Sequence, residues 1–180
     1  MKLKVDLEMV KAIENAARNA CKSLFSKYKE NFYYCSLITD GGAHCPILSA
    51  WSYEALERMS LNEKDPINAK YYLKWSYADS PYFAYGEEYF DEVKEIFNRR
   101  PMLLTNYEKY MKEYELRLNS MEKAMANLDK EGLFGFGNQR LNIVINAEIM
   151  PPDYSNTERA LRLNPREALN EWLEEIAEEE

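Results

Sequence analysis

The chain is poor in the residues that carry most chemistry. In 180 residues it has one histidine, three cysteines and six glycines. With a single imidazole, His44, acid–base triads and histidine-rich metal centres lack material. Cys21, Cys35 and Cys45 cannot all pair, and no Cys-x-x-Cys spacing occurs, so they read as buried free thiols. His44 and Cys45 are two adjacent donors with nothing to complete a zinc site. Neither a metal nor a cofactor is expected.

Positive charge is also short. Lys and Arg number 23 against 31 Asp and Glu, a net charge of −8. That argues against nucleic acid, whose binding relies on neutralising phosphates. It suits either a solvated acidic surface or a basic protein partner. No apolar run approaches the ~18–20 residues of a membrane span. Met1 to Asp6 leads directly into an amphipathic pattern, without the apolar core and cleavage site of a signal peptide. A cytoplasmic protein with no membrane contact is the expectation.

What is present is an ordinary globular balance, 46% hydrophobic and 30% charged. Its length suits one buried core. From Asp6 to Tyr28, apolar residues recur in steps of three and four, the mark of a helix. Phe32–Thr39 reads as a central strand, Asp40-Gly41-Gly42 as a turn, and Ile47–Ala50 as a second strand. Ser52 caps a short helix to about Met59. Lys70–Ser76, rich in aromatics, reads as a third strand.

Gly86 to Arg99 is predicted helical, and Pro101 is expected to break it. Thr105 with Glu108 fits a capping box for a long helix to about Lys130. Tyr107, Met111, Tyr114, Leu118, Met121, Met125 and Leu128 form a strict seam along it, which could pair two copies into a homodimer. Arg140–Glu148 reads as a fourth strand, followed by a helical turn at Glu158–Leu163. Asn164-Pro165-Arg166-Glu167 looks like a helix start, with Asn164 as the cap. The sum is one α+β domain over residues 1–180. About four mainly antiparallel strands would pack with an N-terminal helix, a long central helix and a C-terminal helix.

Glycines 132, 135 and 137 make Glu131–Arg140 resemble a phosphate loop, but in reverse. Phosphate loops run from a strand into a helix, so that the positive helix end faces the anion. Here a helix leads in and a strand leads out, and no Lys-Ser/Thr pair follows.

Three segments carry a wider likeness. They are Asn31-Phe32-Tyr33-Tyr34 through Thr39-Asp40-Gly41, Lys74-Trp75-Ser76-Tyr77-Ala78-Asp79, and Glu131-Gly132-Leu133-Phe134-Gly135-x-Gly137. With Leu163-Asn164-Pro165 they resemble a widespread bacterial family catalogued as a domain of unknown function. Members of that family often have proline and tryptophan where this chain has Tyr77 and Ser80. The resemblance implies a compact α+β domain and assigns no catalytic residue.

Nothing in the sequence names a reaction. Residues 71–90 hold nine aromatics, among them Trp75, Tyr77 and Tyr82, which suit either core packing or a recognition surface. Asp79 is either a site carboxylate or a turn residue bonding its own backbone. Arg140, near Phe136 in the glycine loop, either holds an anion or caps helix carbonyls. His44 has no evident serine or aspartate partner in the sequence. The leading expectation is a non-catalytic protein-binding domain, of the immunity type that neutralises a toxin, using Trp75, Tyr77, Asp79 and Tyr82 against a basic partner. The rival is a small-molecule or nucleotide binder, or an enzyme, using the Gly135–Arg140 loop with Phe136, and the aromatic segment as walls of a pocket joining Arg140 to Asp79 or Trp75.

Overall fold

The computed structural model describes residues 4–100, 102 and 105–179. Met1–Leu3 and the expected helix breaker Pro101 lie outside them. Helix α1 (Leu7–Tyr28) starts where Asp6 Oδ1 accepts the amides of Glu8 and Met9, each at 3.0 Å. An alanine-rich face, Ala12, Ala16, Ala17 and Ala20, is buried and lets neighbouring elements approach closely.

Among the described residues the sheet has three strands, β1 (Phe32–Asp40), β2 (Ile47–Ser52) and β3 (Val144–Met150), in the order β2-β1-β3. β1 is central, as its two apolar faces imply. β1 pairs with β2 antiparallel and with β3 parallel. The third strand expected at Lys70–Ser76 is not one. Lys70–Leu73 closes helix α3 (Pro66–Leu73), capped by Asp65. Trp75, Ser76 and Tyr77 then cross the sheet and are bonded to it by side chains: Tyr33 Oη donates to the Lys74 carbonyl, Trp51 Nε1 to Ser76 (2.7 Å) and Ser49 Oγ to Tyr77 (2.8 Å). A strand-like composition is thus used without a backbone ladder.

β3 is an edge strand whose open side is closed by side chains of α6 (Tyr154–Leu163) and the residue after it. Asn164 accepts from the Ile145 amide (2.9 Å) and donates to its carbonyl (2.7 Å). Asn156 does the same for Ile149, at 2.8 and 3.0 Å. Arg159 Nε donates to the Ala147 carbonyl between them. Two amides and a guanidinium stand in for a fourth strand along the outer side of β3. Asn164 is therefore a strand mimic that also closes α6, donating Nδ2 to the Ala160 carbonyl (2.9 Å), and not the N-cap of the next helix; Pro165 precedes the next turn without a side-chain cap bond.

Alternation along the strands sorts the two faces. Cys35, Leu37, Ala50, Ile145 and Ala147 share one face, packed by α1 and α5 (Tyr107–Lys130), with Cys21 Sγ 3.7 Å from Cys35 Sγ. The other face carries Tyr34, Ser36, Ser49, Trp51, Asn146 and Glu148, all buried. Ser52 caps α2 (Tyr53–Ser60) as expected. α4 (Asp91–Arg99) follows a 3₁₀ turn at Glu87–Phe90. Asn106, one residue beyond Thr105, caps α5. The α5 seam from Leu118 to Leu128 is buried in the chain's own core; Tyr107 is exposed, and Met111 and Tyr114 are half-buried. A 3₁₀ turn at Gly137–Asn142 occupies the start of the expected fourth strand. Helix α7 (Asn170–Glu175) ends the fold, burying Trp172.

Candidate functional site: an aromatic cavity with a buried acid

The polar face of the sheet is where the structure leaves chemistry unfinished. A cavity of about 310 Å³ opens between α3, the end of β3, α6 and α7. Its lining includes Tyr71, Tyr72, Trp75 and Trp172 as aromatic walls, with Glu148, Asn156 and Glu178 as polar groups. Tyr71 and Tyr72 are exposed, whereas Trp75, Trp172 and Glu148 are buried, so the cavity runs from surface to interior.

Each wall has a local cause. Asp65 and Pro66 start α3, and its last turn throws Tyr71 and Tyr72 outward. Trp75 is locked in place: Nε1 donates to Glu175 of α7, and its ring stands edge-on to Tyr33 and Tyr34 at 5.3 and 6.0 Å. Lys74 bonds the same helix through Glu171 and Glu175 and lies 5.2 Å from the Trp75 ring. Alternation on β3 aims Glu148 to the polar face, where Tyr34 Oη donates to Oε1 at 2.8 Å.

One group here is unsatisfied and a second, though hydrogen-bonded, lacks a counter-charge. Trp172 is 2% exposed, and its Nε1 has no hydrogen-bond partner among the described residues. Glu148 is 4% exposed and takes part in no ion pair among them. Burial raises its pKa above the ordinary carboxylate range, against the pull of Tyr34, Ser36, Arg159 and Asn146. A buried donor without an acceptor and a buried acid without a counter-charge are both costly, by about 1–3 kcal/mol for a neutral group and more for a charge.

The residues picked from sequence do not assemble into one site. Trp75 lines this cavity. Tyr77 is half-buried against Phe83 and lines a neighbouring recess with His44 and Cys45, which meets the first cavity at Met150. Asp79 is exposed and accepts the Ser76 hydroxyl, a local turn bond. Tyr82 is 2% exposed, packed on Tyr28 and Phe32, with its hydroxyl between Glu30 and Arg58. Burial, then the Glu30 hydrogen bond, pushes its pKa up to about 12.

Gly132 (φ +80°) ends α5: its amide bonds the Asp129 carbonyl and the Leu133 amide bonds Leu128, a Schellman stop. The exposed Phe136 ring sits where a Cβ on Gly132 would be. Arg140 turns inward and donates to Asp129, Ile143 O (2.6 Å), Leu163 O (3.1 Å) and Asn164 Oδ1 (2.9 Å). The recess beside this loop, about 240 Å³, has the Glu30 carboxylate and no cation among the described residues that line it.

A larger recess of about 630 Å³ lies near the α4–α5 connection, lined by His44, Cys45, Lys94 and Arg117 among others. His44 does have an aspartate partner: Nδ1 lies 2.8 Å from Asp40 Oδ2. The pair is exposed, however, and burial pushes the Cys45 thiol up to about 11, away from a reactive thiolate. Arg117 is engaged by Glu113 and by the carbonyls of Ala43, Phe97 and Arg100.

Sequence reasoning missed Glu148, Asn156 and Trp172 as site residues. Glu148 had a signal: it is an acid inside the otherwise uncharged run Leu141–Met150. Trp172 had none beyond its place on a helix face. No curated protein and no solved structure matches the chain. A family model does match, over residues 13–165, which include Trp75, Glu148 and Asn156 but not Trp172. On that match, the chain belongs to the family described as domain of unknown function (DUF4303).

Proposed function

We propose that the chain is a cytoplasmic, non-catalytic protein-binding domain of a bacterium, of the immunity type that neutralises a basic toxin. One observation carries the reading: α3 exposes Ile67 (82%), Tyr71 (78%) and Tyr72 (53%), next to a cavity whose lining includes the acids Glu148 and Glu178. Exposed apolar residues grouped with aromatics mark contact surfaces. Glu63, Asp65 and Asp79 act on the Tyr72 hydroxyl, and Glu148 and Glu178 line the cavity. The nearby cations Lys70 and Lys74 are tied to Glu57 and to Glu171 and Glu175. The surface is thus apolar at its centre and negative around it, the complement of a basic partner.

The rival reading, a nucleotide or small-molecule site at Gly135–Arg140, needs a free cation for an anionic group, and Arg140 is engaged by four acceptors. Of a dimer seam, only the first turns of α5 remain uncovered.

The test is site-specific photo-crosslinking in the host, with the reactive residue placed at Tyr71 and, in a parallel strain, at Phe136. A basic protein captured from position 71 and not from 136 is the expected result. Capture from 136 alone, or from neither, overturns the reading.

A further inference from the structure

We propose that the Trp75–Trp172 cavity is a receptor for an arginine side chain of the partner, with the aromatic rings as walls and Glu148 as the counter-charge. This rests on the docking surface above and names what enters it. Among the described residues the lining has four aromatic side chains and two carboxylates, and no lysine, arginine or histidine. Aromatic faces attract cations, and guanidinium, planar and weakly hydrated, both stacks on such faces and pairs with a carboxylate through two parallel bonds.

The unpaired donor and the uncompensated acid of the cavity then acquire partners together. Glu148, buried without an ion pair, receives the guanidinium. The nearest internal cation acting on it, Arg159, donates instead to Ala147 O, Ser155 Oγ and Asn156 Oδ1. Trp172 Nε1, a donor without an acceptor, meets the peptide carbonyl that any arginine in a chain brings with it. A neutral or anionic ligand leaves Glu148 uncompensated. A bare ammonium, a hydrated point charge, lacks the planar fork.

The three tryptophans give separate readouts, because Trp51 Nε1 bonds Ser76 O, Trp75 Nε1 bonds Glu175 and Trp172 Nε1 has no partner among the described residues. The experiment follows their indole ¹⁵N–¹H signals while Nα-acetyl-arginine methylamide is titrated into the full chain. The neutral isostere Nα-acetyl-citrulline methylamide, the lysine analogue and guanosine monophosphate serve as comparisons. The arginine amide is expected to move the Trp172 and Trp75 signals saturably and leave Trp51 in place, with citrulline at least about tenfold weaker.

Glu148→Gln, which still accepts the Tyr34 hydroxyl, is expected to lose about tenfold or more of this binding while keeping its dispersed spectrum. Tyr71→Ala, at an exposed position, is the second variant and weakens binding without touching the fold. Equal or tighter binding of citrulline, lysine or the nucleotide overturns the proposal, as does an arginine titration that moves no indole signal. A protein captured at Tyr71 with no arginine response removes the receptor and keeps the docking surface. An arginine response with no captured protein does the reverse.

Discussion

Two regions of the molecule look equally suggestive in sequence, the glycine turn after α5 and the aromatic stretch after α3, and the structure treats them in opposite ways. At the glycine turn every conspicuous residue is satisfied from within. Gly132 stops a helix, Phe136 lies over it, and Arg140 is 6% exposed with its guanidinium bonded to Asp129, two carbonyls and Asn164. At the aromatic cavity, among the described residues, a buried indole lacks an acceptor and a buried acid lacks an ion-pair partner. A residue that is rare, charged and well placed is no pointer to function if its bonds are complete. Incomplete bonds in a concave, buried place are the better guide.

The largest effect that tests this contrast should come from the satisfied side. Asn164→Ala strips partners from the Ile145 amide and carbonyl and from Arg140 at once. With about 1–3 kcal/mol lost for each orphaned buried group, a drop of at least about 3 kcal/mol in urea unfolding is expected. Gly132→Ala follows, at about 1–3 kcal/mol, since a side chain there meets a left-handed φ and the Phe136 ring. Both variants, while folded, should still respond to the arginine amide. Loss of that response without loss of fold would join the two regions and break the comparison.

Those same residues show how far the sequence could be read. Periodicity placed α1 and α5, and hydrophobicity on both faces marked β1 as central. Aromatic composition turned Lys70–Ser76 into a strand, because it reports a surface that packs on a sheet, not a backbone that pairs with one. Asn164 has the sequence context of a cap; its use as a ladder partner for β3 depends on where α6 lies, a long-range fact. The cavity was legible only at Trp75. Glu148 and Trp172 come from a strand and a helix that meet only in three dimensions.

A smaller effect of opposite sign should come from the unsatisfied side. Glu148 binds its proton more tightly in the fold than in the unfolded chain, through burial, with Tyr34, Ser36, Arg159, Asn146 and the cavity's Glu178 around it. Its contribution to stability is full below the ordinary carboxylate range and is lost as pH rises through the raised value. Glu148→Gln removes that loss. It should stabilise the free protein at neutral pH by about 1 kcal/mol, with the gain shrinking toward zero in acid. Melting temperatures across pH check this. A destabilised variant at neutral pH would mean Glu148 is already compensated from within, like Arg140.

The smallest stability effect belongs to Tyr71→Ala, and it is the most discriminating. Tyr71 is 78% exposed on the last turn of α3, so truncation removes little buried area. The unfolding free energy should stay within about 0.5 kcal/mol of the parent's, as for ordinary surface changes. A contact residue at the centre of an interface behaves otherwise towards its partner, where loss of an aromatic anchor costs about 2 kcal/mol or more. Fold and recognition therefore separate at this one ring. A partner captured by the parent should be lost by Tyr71→Ala and kept by Gly132→Ala, although the second variant is the less stable of the two. The reverse ranking, with binding following stability, would place recognition in the general integrity of the fold and not in the aromatic surface of α3.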